Sequence, residues 1–119
     1  MTNNHFILEM YTAIDAKDSI GMCNFLTEDS SFTFANMPPV VGKSNIISFL
    51  DGFFQSIKGL HHTGIEYRYA DDAWFANGTV TYTRLNESTL QVPFAILLKM
   101  NSDFIQDYRI YVDASELYK

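Results

Sequence analysis

The repeat of apolar residues changes its period once along this chain, near Leu60, and nothing else in the sequence constrains the fold as much. Before that point apolar residues recur at helical spacing. After it they alternate, as in strands that bury one face. Helices gathered in one half and strands in the other point to an α+β fold, not to alternating βα units with a parallel sheet. At 119 residues the chain is expected to form one domain, 1–119, with no repeat or linker.

The first half predicts three helices and one short strand. Ile7, Met10, Tyr11 and Ile14 make one stripe of a helix over 3–16. Asp18 is placed to cap a short second helix running to about Leu26. Residues 31–36 alternate as a strand, which Met37-Pro38-Pro39 ends because proline lacks the ladder donor. Gly42-Lys43-Ser44 opens a third helix over 44–57. Its apolar set, Ile46, Phe49, Leu50, Phe53, Phe54 and Ile57, is wide enough to predict deep burial.

The second half predicts four strands: 61–70, 73–85, 89–100 and 104–113. Asp71-Asp72, Asn86-Glu87-Ser88 and Asn101-Ser102-Asp103 connect them. Asn77-Gly78 marks a bulge or local turn, and Pro93 a bulge or a free edge. Leu90, Val92, Phe94, Ile96, Leu98 and Met100 share one face, as do Phe104, Tyr108, Ile110 and Val112. Long interrupted antiparallel strands bend, and a bent sheet under apolar helices encloses a space.

Composition removes several function classes. The formal charge is −6 and only 8 Lys and Arg are scattered along the chain. Phosphate contacts supply most nucleic-acid affinity, so no nucleic-acid partner is expected. No apolar run approaches the roughly 18–20 residues of a membrane span, and the start is unlike a signal peptide. A cytoplasmic location without membrane contact is the expectation. Cys23 lies in an apolar stretch and reads as a packing thiol. With no Cys/His cluster, neither metal nor other cofactor is expected.

At this point the order of motifs resembles a known family. Val41-Gly42-Lys43 before the third helix, His62 early in the next strand, Val80-Thr81-Tyr82-Thr83-Arg84, and the ending Ile105-Gln106-Asp107-Tyr108-Arg109-Ile110-Tyr111-Val112-Asp113 look like the SnoaL-like branch of the nuclear-transport-factor-two-like superfamily. The resemblance implies a cone: a strongly curved, mostly antiparallel sheet whose concave face is covered by the three helices of the N-terminal half. It also implies a homodimer through the outer sheet face. The superfamily holds isomerases, cyclases, dehydratases, epoxide hydrolases and non-catalytic binding domains, so the fold leaves the activity open.

Limonene-epoxide hydrolases are the most similar branch. Phe34-Ala35-Asn36-Met37-Pro38 is similar to their Tyr-x-Asn-Met-Pro, and Arg84-Leu85-Asn86 to their Arg-x-Asp. Tyr108-Arg109-Ile110-Tyr111-Val112-Asp113 is similar to their Trp-Arg-Asp-Tyr-Phe-Asp. Asn36 and Arg84 are kept, while Phe34, Asn86 and Ile110 replace Tyr, Asp and Asp. Their chemistry needs one carboxylate to activate water and another to protonate the epoxide oxygen. An amide and an alkyl group do neither, so the resemblance implies no limonene-type epoxide hydrolysis.

The candidate ligand-binding residues are therefore Phe34, Asn36, Tyr82, Arg84, Asn86, Tyr108 and Ile110. Arg84 either orients a carbonyl or carboxylate or is an ordinary exposed arginine near a turn. His62 is a candidate general base or a structural histidine, with His61 on the opposite face. Asp113 is an acid or base at the rim, or part of a polar outer face with Asp107 and Arg109. Phe32, Trp74, Phe94, Phe104 and Tyr108 either line a cavity or fill it. Three functions compete. The first is an acid/base isomerase, cyclase or dehydratase acting on a small apolar, carbonyl-bearing or cyclic molecule. The second is a non-catalytic ligand-binding domain, and the third a dimer-forming accessory module.

Overall fold

The computed structural model describes residues 5–119. Its elements are α1 (Phe6–Asp15), α2 (Ser19–Cys23), β1 (Leu26–Phe34), β2 (Val40–Val41), α3 (Lys43–Gln55), β3 (Gly59–Ala70), β4 (Ala73–Thr83), β5 (Thr89–Asn101) and β6 (Phe104–Val112). The strands form one sheet in the order β2-β1-β6-β5-β4-β3. β1 and β6 run parallel and the other neighbours antiparallel. The sheet is a curved cone, and the three helices cover its concave face, as expected for the α+β class.

The helices follow their patterns. Ile7, Met10, Tyr11 and Ile14 are all buried on α1; of the expected span 3–16, residues 3–4 lie outside the described residues. Asp18 caps α2 by accepting from Gly21 N at 2.9 Å. That helix stops at Cys23, and Leu26 begins β1 instead of ending the helix. β1 thus starts five residues before the expected 31. Its early part alternates poorly because a register shift lies between Leu26 and Ser31. At its other end Ala35 takes φ 53°, so the strand stops at Phe34 and Asn36 lies in a turn.

Bulges decide which side chains enter the cone. Thr63 pairs with Thr79 and Glu66 with Asn77, so Gly64 and Ile65 oppose Gly78 alone. The expected irregularity at Asn77-Gly78 is real in position but belongs to β3, with Gly64 at φ 61°. Gly78 is needed opposite it, because a Cβ there would lie 2.7 Å from the Thr63 carbonyl. A second bulge lies on β6, where Lys99 pairs with Asp107 but Met100 with Ile105. It turns Ile105 inward and leaves Phe104 49% exposed, correcting the expected inward Phe104. The carbonyl of the extra residue, Gln106, is satisfied by Ser30 Oγ at 3.2 Å. Pro93 causes no bulge. It sits where β5 has run past β6, whose pairing begins at Phe94, so one edge is free there.

The core runs between the helices and the inner sheet face. Phe32, Leu98, Ile105 and Tyr108 meet Ile7, Met10, Met22 and Ile46 in one buried cluster. On α3, Ile46, Leu50 and Phe54 are buried but Phe49 and Phe53 only half so. Those two rings stand at the opening of the cone. The free carbonyls at the end of α3 are met by Lys17 Nζ, which donates to Phe54 O at 3.3 Å and Ile57 O at 3.2 Å.

Candidate functional site

A small, partly open cavity lies between the helices and the inner sheet face. Its volume is about 50 Å³, room for a few atoms of a ligand. The wall is almost wholly apolar, with Tyr11, Tyr82, Tyr108 and His62 as its polar members. Five strands and three helices bring the wall together.

His62 is the best-supported group in this wall. Its ring is fixed between Tyr11, with centroids 4.4 Å apart, and the edge-on Phe94 at 5.0 Å. Behind it stands Asp15, the last residue of α1. Asp15 Oδ1 lies 2.6 Å from His62 Nδ1, and Oδ2 accepts from the His62 backbone N–H at 3.0 Å. An ionised carboxylate only accepts, so Nδ1 carries the hydrogen, and in the neutral imidazole Nε2 is the basic nitrogen. The His62 side chain is 9% exposed and that of Asp15 21%. This is an oriented acid/base side chain opening on an apolar space.

Tyr11 supplies a donor. Its hydroxyl is buried and has no hydrogen-bond partner among the described residues. The Tyr108 hydroxyl is close enough to act on it electrostatically, but short of full hydrogen-bond geometry. Burial first, and the neighbouring Tyr108 second, hold the Tyr11 phenol far above its ordinary range. Burial does the same to Tyr108 and pushes Tyr82 up to about 12. All three are neutral phenols, able to donate. Leaving a buried hydroxyl unpaired costs about 1–3 kcal/mol, a loss that a ligand oxygen in the cavity would recover.

A second, open cleft of about 970 Å³ lies at the mouth of the cone. Its walls are the β1–β2 turn, α3 and the C-terminal segment 113–118. Phe34, Phe49 and Phe53 line both spaces and separate them. The C-terminal segment is strapped down. Leu117 is buried, Tyr118 hydroxyl and Ser56 Oγ lie 2.7 Å apart, and Arg84 holds the backbone. Arg84 Nε donates to Leu117 O and Nη2 to Glu116 O, each at 2.9 Å, while Nη1 reaches Ser88 Oγ and Thr89 O at 3.1 Å.

Comparison with known proteins agrees with this cone. The SnoaL-like domain profile matches residues 7–108. The chain belongs to the SnoaL-like domain family. Solved structures share its fold at low identity. A putative polyketide cyclase from Pseudomonas putida superposes with a TM-score of 0.88 at 17% identity, covering 98% of this chain and 96% of that one. An NTF2-like protein of unknown function from Burkholderia pseudomallei gives 0.84 at 17%, covering 93% and 90%. A hypothetical protein with a ketosteroid isomerase-like fold from Catenulispora acidiphila, in complex with trimethylamine, gives 0.82 at 16%, covering 93% and 86%. No curated protein matches in sequence.

Within this SnoaL-like domain the candidate residues divide. Tyr82, Tyr108, Ile110 and His62 line the inner cavity, Phe34 lines both spaces, and Asn36 and Asp113 line the outer cleft. Arg84 and Asn86 line neither, which corrects their expected place beside Tyr82. Strand pairing ends at Thr83, opposite Thr89. Beyond it the chain curls, with Arg84 N donating to Ser88 O and Glu87 N to Arg84 O, so side chains no longer alternate between faces. Asn86 Oδ1 serves the turn, accepting from Ser88 N and Oγ at 3.0 and 2.6 Å. Asp113 is exposed, and hydrogen bonds from Ser115, side chain and backbone, hold its carboxyl below the ordinary range. Of the aromatics, Phe32 and Phe94 line the inner cavity while Trp74 lies in the core away from it. His61 is not independent of His62. Its ring is 71% exposed, yet Nδ1 lies 3.4 Å from Asp15 Oδ2. Among the described residues no group of three or more His, Cys, Asp or Glu is arranged for a metal.

Asp15 is the residue that sequence reasoning missed. It stands four residues after Tyr11, inside the apolar stripe that Ile7, Met10 and Ile14 define. A carboxylate at such a position needs a partner, and that was the available signal. Cys23, in contrast, is a packing thiol: burial pushes it up to about 11.

Proposed function

We propose that this SnoaL-like domain is an acid/base catalyst for a small apolar, carbonyl-bearing or cyclic molecule, with His62 as the base. The observation that carries the reading is the Asp15–His62 pair opening on an apolar cavity, with the unpaired Tyr11 hydroxyl in the same wall. His62 Nε2 takes a proton from the carbon next to a carbonyl, and Asp15 stabilises the imidazolium that forms. The Tyr11 phenol donates to the carbonyl oxygen as negative charge gathers there. Returning the proton to the far carbon of a conjugated enolate gives isomerisation; delivering it instead to a hydroxyl on the β-carbon, as that C–O bond breaks and water leaves, gives dehydration. Asp113 lies outside this chemistry, in the outer cleft. Two-carboxylate epoxide hydrolysis is not part of the proposal, because no carboxylate lines the inner cavity.

The test is α-proton exchange on small flat ketones in D₂O, followed by NMR. Exchange faster than buffer, lost in His62→Gln with the fold retained, supports the reading. No acceleration over a panel of ketones, or one indifferent to His62→Gln, overturns it. The small inner volume favours the second reading, a non-catalytic domain that holds its ligand mainly in the outer cleft. A homodimer through the outer sheet face belongs to either reading, and the exposed Phe75 on β4 favours it. Sedimentation of the purified chain tests that part.

A further inference from the structure

We infer that the outer cleft is a subsite for the larger end of a two-part ligand, an end that is neutral or cationic and not anionic, while the ligand's small flat carbonyl end passes Phe34, Phe49 and Phe53 into the inner cavity. The inference rests on the reading of His62 as the base. Three observations carry it.

The first is volume. The inner cavity holds about 50 Å³ against about 970 Å³ outside. A water needs roughly 10–15 Å³ of such space, so the inner cavity admits a carbonyl and its neighbouring carbons but not a whole metabolite. Whatever reacts at His62 must leave most of its body in the cleft.

The second is the partition. Phe34 and Phe53 are 5.5 Å apart between ring centroids, tilted by 48°, and Phe53 meets Tyr82 edge-on at 6.1 Å. Phe49 and Phe53 are half-exposed on α3, whereas Ile46, Leu50 and Phe54 of the same helix are buried. Rings at such distances touch one another, so a flat group reaches the inner cavity where the half-exposed Phe53 and Phe49 turn aside.

The third is charge. Among the described residues Asp113 is the charged side chain in the cleft wall, and no Lys, Arg or His lines it. Lys119, the cation that acts on Asp113, is itself paired with Glu116 at 3.4 Å and stands outside the wall. Asn36, Ser48 and Ser115 add neutral hydrogen-bonding groups. A carboxylate or phosphate would meet a like charge without a counter-ion, whereas an ammonium or a hydroxyl finds a partner.

The test uses propiophenone and two derivatives with a short alkyl chain at the para position, one ending in trimethylammonium and the other in carboxylate. Affinities are measured by NMR titration of the full chain and of Asp113→Asn. The ammonium probe is expected to bind about tenfold tighter than the carboxylate probe, as one nearby screened charge allows. In Asp113→Asn that ratio should collapse to within about threefold. A propiophenone with a tert-butyl group on its ring should bind Phe53→Ala but not the wild type. Equal binding of the two charged probes, a ratio unchanged in Asp113→Asn, or no binding of any probe would each overturn the subsite. If the binding pattern holds while α-proton exchange is absent, the catalytic reading fails and the subsite stands.

Discussion

The inner cavity and the outer cleft share three phenylalanines and little else. The inner wall is built by the sheet and the three helices, and its polar groups include His62, locked by Asp15, and Tyr11, whose hydroxyl is buried without a partner among the described residues. The outer wall is built by a turn, one side of α3 and the C-terminal segment, and most of its polar groups are exposed. Residues that must hold one geometry sit on regular elements around the core. Residues that need only meet the remainder of a ligand sit on loops, where local hydrogen bonds such as the Arg84 clamp replace packing.

The comparison breaks most sharply at His62. His62→Gln should lower α-proton exchange by about 10²–10⁴-fold, the usual worth of a general base, and leave binding in the outer cleft within about twofold. A loss of both together would mean that the two spaces are not separable. The next effect belongs to the strap. Arg84→Ala should cost about 1–2 kcal/mol of stability, since its hydrogen bonds are charge-assisted but partly exposed. It should also speed amide hydrogen exchange over residues 114–119 while α1 stays protected. Equal acceleration in both regions would mean that the strap is not a separate unit. Arg84→Lys should not restore protection, because an ammonium lacks the fork that meets two carbonyls.

Smaller effects sharpen the inner side. Tyr11→Phe should leave stability unchanged or raise it by up to about 1 kcal/mol, because it removes an unpaired buried hydroxyl. The same change should slow exchange by at least about tenfold. A clear loss of stability would show that the hydroxyl has a partner in the free protein. The buried phenols also set an alkaline limit. Tyr82 titrates at about 12 in the fold against 10.0 when free, and Tyr11 and Tyr108 are likewise raised. Above pH 10 the unfolded chain loses these protons before the folded one does, so stability falls there and is fully present below. Melting temperature should decline from about pH 10 upward, less steeply in Tyr108→Phe. An unchanged slope in that variant would place the titration elsewhere.

Much of this was legible along the chain. The change of period at Leu60 separates helices from sheet, and the stripe of Ile7, Met10, Tyr11 and Ile14 is buried as the pattern requires. Inward Leu90 to Met100 follow from strict alternation, since β5 pairs with β4 without interruption. Phe104 and the pair Arg84 and Asn86 were misplaced for one reason. Alternation assigns faces only while pairing continues, and a bulge at Gln106 and the end of pairing at Thr83 reset it.

The sequence by itself determined the α+β class and the apolar face of each long element, because burial imposes those periods residue by residue, while the order of its motifs carried the family. It also placed His62 as a group to watch. Only the tertiary structure decided that Asp15 stands behind it, 47 residues away along the chain. It also decided that Arg84 holds the C-terminal strap and that three phenylalanines divide the interior in two. Those are meetings between elements, set by register, bulges and packing, and no local period encodes them.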